Sequence, residues 1–321
     1  MAFGPDGRYL VSASVDKSIR LWELSGRDLI PRYGHERAAL SVAVHPTRPW
    51  IVSGSADGVL LVWDATEGNV LFSLGRHEAE ITALALSSDG KWLLSASRRP
   101  DAVVKLWDLE ARREVRSFDG GLEYVSAVSF CDNGQLVACW DAQREGTVLL
   151  WDAASGKPVR KVEGHDGRVR SLAFSPEGLW VAFGCTSGEV KIWNLQDSSP
   201  VRPLQCHEGD VADVALTAGG KQLITAGNDG TVKVWDLHKR EALLQWKAHD
   251  DRPRGLVLSP DGTRLASWSR NQDVRLWDLS SGKQLGSWQL DVAVRGLAWA
   301  GTPTRLVTAN DNGTLYVLSV E

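Results

Sequence analysis

Apolar residues along this chain come in short runs, and each run is cut by a turn within about ten residues. Residues 34–75 show the pattern. LSVAV ends at HPTRP, WIVSGS ends at Ala56-Asp57-Gly58, VLLVW ends at ATEGN, and VLFSL leads to the next His. Runs of about five residues, rich in β-branched side chains and bounded by Gly, Pro and Asp, read as strands joined by tight hairpins. A breaker about every ten residues excludes helices of ordinary length. Several runs, such as Val59 to Trp63, are apolar at consecutive positions, which suits a strand buried on both faces.

The same unit recurs. Seven runs carry a Trp near their end: IRLWEL, LLVWDA, VKLWDL, VLLWDA, VKIWNL, VKVWDL and VRLWDL. These residues are Trp22, Trp63, Trp107, Trp151, Trp193, Trp235 and Trp277, spaced 41 to 44 apart, and Leu318 falls 41 beyond the last. A period near 42 therefore runs through all 321 residues, and it overrides the length prior of about two domains. Four-stranded sheets stacked face to face around an axis bury both faces of each sheet and leave only short edges exposed. The fold class expected is all-β. The excess of Trp, at 15 against 4 Tyr and 6 Phe, follows from the repeat.

At this point the chain resembles the WD-repeat (β-transducin repeat) family. Gly34-His35 and Gly164-His165 match its Gly-His pair. Trp-Asp stands intact at Trp63-Asp64, Trp107-Asp108, Trp151-Asp152, Trp235-Asp236 and Trp277-Asp278. The resemblance implies a β-propeller of four-stranded antiparallel blades, with seven blades favoured and eight as the alternative. In the seven-blade closure, the strand near Asp28 to Tyr33 completes the last repeat, residues 292–319. Residues 1–24 are then remnant strands of a preceding repeat, and 25–321 form the propeller. In the other closure, 1–24 belong to an eighth blade.

The resemblance also implies a buried network joining a His, a Ser or Thr on strand two, a turn Asp and the Trp. Spacing supports it, with the hydroxyl ten residues before the Trp and the Asp six before. The sets are His35/Ser53/Asp57/Trp63 and His207/Thr225/Asp229/Trp235. His77/Ser95/Asp101/Trp107 joins them once a two-residue insertion is allowed, and His249/Ser267/Asn271/Trp277 has Asn for Asp. The fourth repeat has Gly121, Ala138 and Glu145 in these slots. The fifth keeps His165 but has Phe183 and Ser187, and the last has Leu290, Thr308, Asn312 and Leu318. Those repeats are expected to rely on apolar packing and to be locally weaker.

Charge and motifs narrow the function. A net charge of −4 does not suit a nucleic-acid binder. No apolar run approaches the roughly 18 residues needed to span a bilayer, and the first residues do not read as a secretory signal. Four irregularly placed cysteines do not form a disulfide framework, so a cytoplasmic location is expected. His77-Glu78 and His207-Glu208 begin like a zinc-protease motif but lack its second His, and Gly219-Gly220-Lys221 lacks the rest of a phosphate loop. His45 and His238, the two His outside the repeat slot, follow turn logic. No catalytic residue, metal or cofactor is expected.

Function is then expected on surfaces: a non-catalytic protein–protein interaction scaffold that binds a peptide or protein on one propeller face. Every loop before a first strand carries an acid, Glu36, Glu78, Glu80, Glu123, Glu208 and Asp210 among them, which suits a basic peptide. Trp, Tyr and Arg are enriched at binding hot spots. The candidate contacts are therefore Tyr124, Trp140, Arg144, Arg98 and Arg99, with Trp268 and Arg270 in the seventh repeat. Two alternatives stand beside this reading. One is the C-terminal sensor or regulatory propeller of a larger signalling protein of NTPase or kinase type. The other is an enzyme using the central channel, for which the sequence offers no set of groups.

Overall fold

The structure is a computed structural model that describes residues 1–3, 9–23, 27–28, 32–131, 134–140, 147–162, 168–175, 179–194, 202–299, 305–310 and 315–320. Its strands form eight antiparallel sheets, with no α-helix among the described residues. The chain divides into two compact units, Met1–Glu163 and Gly164–Glu321.

The first unit holds four sheets. The first pairs Ala2–Phe3, Tyr9–Ala13 and Ser18–Glu23, and both Arg27–Asp28 and Arg32–Tyr33 add to Ser18–Glu23. The segment expected to complete the last repeat therefore finishes the first sheet instead. Backbone register explains this: Trp22 faces Asp28 and Ser18 faces Tyr33, as in an ordinary hairpin return. The second sheet is Ala39–Val44, Trp50–Ser55, Val59–Asp64 and Val70–Arg76. The third is Ile81–Leu86, Trp92–Ser97, Val104–Asp108 and Arg113–Phe118, and the fourth is Ala127–Cys131, Leu136–Trp140, Val148–Asp152 and Pro158–Val162.

The second unit repeats the plan. Its sheets begin at Val169–Phe174, Val211–Leu216, Pro253–Leu258 and Val294–Trp299. The first three have four strands and the last has three, ending with Leu315–Ser319.

Within each unit, apolar side chains between neighbouring sheets form the core, so that sheets such as the second, third, sixth and seventh are packed on both faces. One cluster joins Val52, Leu60 and Val62 of the second sheet to Ile81, Leu93 and Trp107 of the third. Another joins Ala226, Val232 and Val234 to Leu256, Leu265 and Trp277. This two-sided burial is why strands two and three read as unbroken apolar runs. The turn between them is tight. Gly58, at φ +82°, lets its backbone approach the His77 carbonyl of the next sheet, where a Cβ would come within 2.4 Å of that oxygen.

First strands carry one further feature. In all four sheets of the second unit, pairing with strand two skips one residue: Arg170, Ala212, Arg254 and Arg295. Leu40 and Thr82 are skipped in the first unit. Such a bulge leaves its residue out of the ladder and re-aims the side chain.

Candidate functional site

The structure ties each network His to the Trp of its own repeat through one hydroxyl. In the second sheet the Trp63 Nε1–H donates to Ser53 Oγ at 2.7 Å, and Ser53 lies 2.6 Å from His35 Nε2. The third sheet repeats this through Ser95, at 2.7 Å from Trp107 and 2.6 Å from His77. Thr225 serves Trp235 and His207 at 3.1 and 2.8 Å. Ser267 serves Trp277 and His249 at 2.9 and 2.7 Å. The indole can only donate, so the hydroxyl accepts from it and gives its own proton to Nε2. That leaves the proton of the neutral imidazole on Nδ1, facing the turn.

What meets Nδ1 differs among repeats. Asp101 lies 3.2 Å from His77 Nδ1, and Asp229 lies 3.0 Å from His207 Nδ1. Asp57 stands 4.0 Å from His35 Nδ1, too far for a hydrogen bond. It accepts instead from Ser55 and from the Val59 and Glu36 amides. In the seventh sheet the expected Asn271 is not the partner. Asp273, two residues later, holds His249 Nδ1 at 2.9 Å and also takes Ser269 and Arg275. The reason is visible in the sixth sheet. Thr231, the residue at the same place four before the Trp, puts its hydroxyl 3.3 Å from His207 Nδ1. That position also faces the imidazole.

Burial pushes the pKa of His35, His77 and His207 down, that of His77 to about 4. These rings are neutral at pH 7. Asp57 and Asp101 are partly buried and Asp229 is more exposed, and the loss of water around each carboxyl works against ionisation. Their hydrogen bonds outweigh it and hold them below the usual carboxylate range. The network is thus a structural clasp of neutral imidazoles and ionised carboxylates.

Of the candidate contacts, Arg98, Arg99 and Tyr124 are brought together. Arg98 and Tyr124 form an isolated backbone bridge between the second-to-third-strand turn of the third sheet and the loop entering the fourth. Arg98 pairs with Glu80 at 2.5 Å and Arg99 with Glu123 at 2.7 Å. Two of the loop acids are therefore answered by arginines of the same face.

Trp268 corrects the expectation. It is buried between the seventh and eighth sheets, against Val294 and Trp299. Its strand position is filled by Ala96 and Ala226 in other repeats, and the room comes from Gly255 opposite, where a Cβ would fall 2.1 Å from the indole. Arg270 is exposed and lines a cavity of about 450 Å³. Trp140 ends the second strand of the fourth sheet, paired through its backbone with Ala127 and Val148. Its side chain and all of Arg144 lie outside the described residues, as do His165, Asp166, Glu145 and Asn312.

That cavity gathers residues the sequence reading passed over: Arg170, Arg252, Arg254 and Arg295. A signal was present. Aligning the repeats on their Trp shows Val169-Arg170-Ser171, Pro253-Arg254-Gly255 and Val294-Arg295-Gly296 in one register.

His45 is a turn cap, its Nδ1 accepting from the Thr47 and Arg48 amides at 3.2 and 3.0 Å. All four cysteines are buried and none is in a disulfide, and burial pushes Cys206 up to about 12, which keeps it a thiol. Among the described residues no group of three or more His, Cys, Asp or Glu is placed to hold a metal ion, and no helix is long and apolar enough to cross a membrane.

Comparison with known proteins places these observations. A family model described as "WD domain, G-beta repeat" matches residues 1–23, 28–64, 68–108, 112–152, 156–194, 198–236 and 240–278. The small ribosomal subunit protein RACK1y of Oryza sativa subsp. japonica is 37% identical over 89 residues, 27% of this chain and 26% of that protein. The nuclear distribution protein PAC1 of Arthroderma benhamiae is 30% identical over 117 residues, 29% of this chain and 25% of that protein. Pre-mRNA-processing factor 19 of Caenorhabditis elegans is 28% identical over 92 residues, 28% of this chain and 19% of that protein. The matches thus span about a quarter or less of these relatives' length. The crystal structure of the computationally designed Ika8 protein is similar at a TM-score of 0.84 and 26% identity, covering 99% of this chain and 95% of that one. With seven repeat matches spread over residues 1–278, the chain belongs to the WD domain, G-beta repeat family.

Proposed function

We propose that the chain is a non-catalytic interaction module that holds a protein or peptide partner on the face formed by the loops entering the first strands and the turns between strands two and three. The observation that carries this is the assembly of Arg98, Arg99 and Tyr124 into one paired loop cluster. Tyr and Arg supply large contact area with polar tips, and here both arginines are oriented in advance by Glu80 and Glu123. In the loops entering the second and third sheets, Glu36 and Glu78 are exposed carboxylates with no ion pair among the described residues. A partner with basic side chains suits them.

Family membership supports the reading, and so does the quiet chemistry of the buried histidines. A cytoplasmic setting fits four cysteines outside any disulfide. Residues 1–24 are proposed to act as part of the first sheet of this module.

The test compares affinity capture from source lysate by wild-type protein and by an Arg99→Ala/Tyr124→Ala variant with the same urea midpoint. A protein retained by wild type and lost by the variant is the expected result. Equal capture by both, or no capture by either, would sink the assignment of this face.

A further inference from the structure

The cavity of about 450 Å³ in the second unit is lined by five arginines, Arg170, Arg252, Arg254, Arg270 and Arg295, together with Asn228. Among the described residues no carboxylate lines it. Arg170 pairs with Asp210 at 3.1 Å. Among the described residues Arg252, Arg254 and Arg270 have no ion-pair partner. In a chain with a net charge of −4, this is a local concentration of positive charge.

Its construction is regular. Arg170, Arg254 and Arg295 are the bulged residues of the first strands of the fifth, seventh and eighth sheets, and Ala212 is the bulged residue of the sixth. A bulge turns its side chain out of the ladder. Three such bulges deliver guanidiniums to one place, and the small Ala212 leaves space between them. Arg252 and Arg270 arrive from the entering loop and the turn of the seventh sheet, joined by the hydrogen bond from the Arg270 amide to the Arg252 carbonyl. Like charges brought this close repel, and a concave wall strengthens their shared field. An anion that accepts several hydrogen bonds at once relieves that repulsion. Guanidinium forks match phosphoryl oxygens in pairs, and the Asn228 amide adds a neutral donor.

We infer that this cavity is a binding site for a phosphoryl group carrying at least two negative charges. Two sources share that chemistry: a phosphorylated side chain on a peptide, and a free polyphosphate. The site does not depend on the partner proposed above. Its failure would leave capture through Arg99 and Tyr124 untouched.

The experiment is calorimetric titration of the full chain with inorganic pyrophosphate at fixed ionic strength. Saturable binding that weakens as salt rises is expected. Arg254→Gln with Arg270→Gln is expected to weaken it at least tenfold. Arg113→Gln, on the outer strand of the third sheet, should leave it unchanged. Urea midpoints equal to wild type show that the variants remain folded. No saturable heat, or an equal loss in Arg113→Gln, overturns the inference. A phosphoserine peptide and its serine twin separate the sources. Displacement of pyrophosphate by the phosphopeptide alone supports the peptide source, and displacement by neither peptide supports the free polyphosphate.

Discussion

The Ser53 hydroxyl is shared by two buried rings, taking the Trp63 N–H and facing His35 Nε2. Removing it strands the indole N–H in a site sealed from water. Ser53→Ala is therefore expected to cost about 1–3 kcal/mol in urea unfolding, the range for a buried donor left without an acceptor. Ser12→Ala in the first sheet should cost less, because among the described residues Ser12 serves only Trp22 and the site is partly open. An equal or smaller cost at Ser53 would show that the hydroxyl is not holding the ring. The histidines add a pH dependence. His77 binds its proton at about 4 in the folded chain and near 6.5 when unfolded. Between those values the unfolded state binds more protons, so stability falls as pH drops from 6.5 toward 4. His77→Gln should flatten that slope in thermal melts taken at each pH.

At the scale of sheets, one carboxyl works with the opposite sign. Asp213, on the first strand of the sixth sheet, accepts the Leu256 amide of the next sheet at 2.8 Å, and the Val214 amide at 2.9 Å. Burial outweighs these two bonds and raises it to about 6. An unfolded Asp ionises near 3.9. From about pH 4 to pH 6 the folded state therefore holds the extra proton, and stability falls as pH rises through that window. Asp213→Asn keeps an acceptor for Leu256 without a charge to bury. It should raise stability at pH 7 by about 1–3 kcal/mol and leave it unchanged at pH 4. Lower stability at pH 7 would mean that the ionised carboxylate strengthens the link between the sheets. Nothing in the sequence marks Asp213, since its burial is created by a neighbouring sheet. The repeat period, by contrast, exposes strand order and the hydroxyl–Trp pairs, because both obey fixed local spacing. The Asn271 expectation missed Asp273 because two positions of one turn reach the same imidazole nitrogen. Trp268 was misjudged because its freedom depends on a glycine on the neighbouring strand. The arginine cavity was missed because a bulge decides where Arg254 points, and bulges leave little trace in a hydrophobic pattern.

Across the whole chain the sheets are alike in apolar burial and unlike in polar ties. The fourth sheet buries Val137, Cys139 and Leu150 as fully as the sixth buries Leu223, Ile224 and Val232. Strand register puts Cys139, not the expected Ala138, where the sixth has Thr225, each two residues beyond the strand partner of its Trp, and Gly121 stands where the sixth has His207. The apolar term is thus matched, and what the fourth sheet lacks is the clasp from its entering loop to its two middle strands. In a repeat protein each sheet is stabilised by itself and by its neighbours, so such a defect stays local. Hydrogen exchange reads local opening directly. If the clasp contributes about 1–3 kcal/mol, amides of Val137, Cys139 and Leu149 should exchange roughly ten- to a hundredfold faster than those of Leu223, Thr225 and Lys233. Equal protection in the two sheets would give the stability of the repeat to apolar packing alone. It would also leave the His–hydroxyl–Trp chain the narrower task of fixing where each entering loop, and the side chains it presents, must sit.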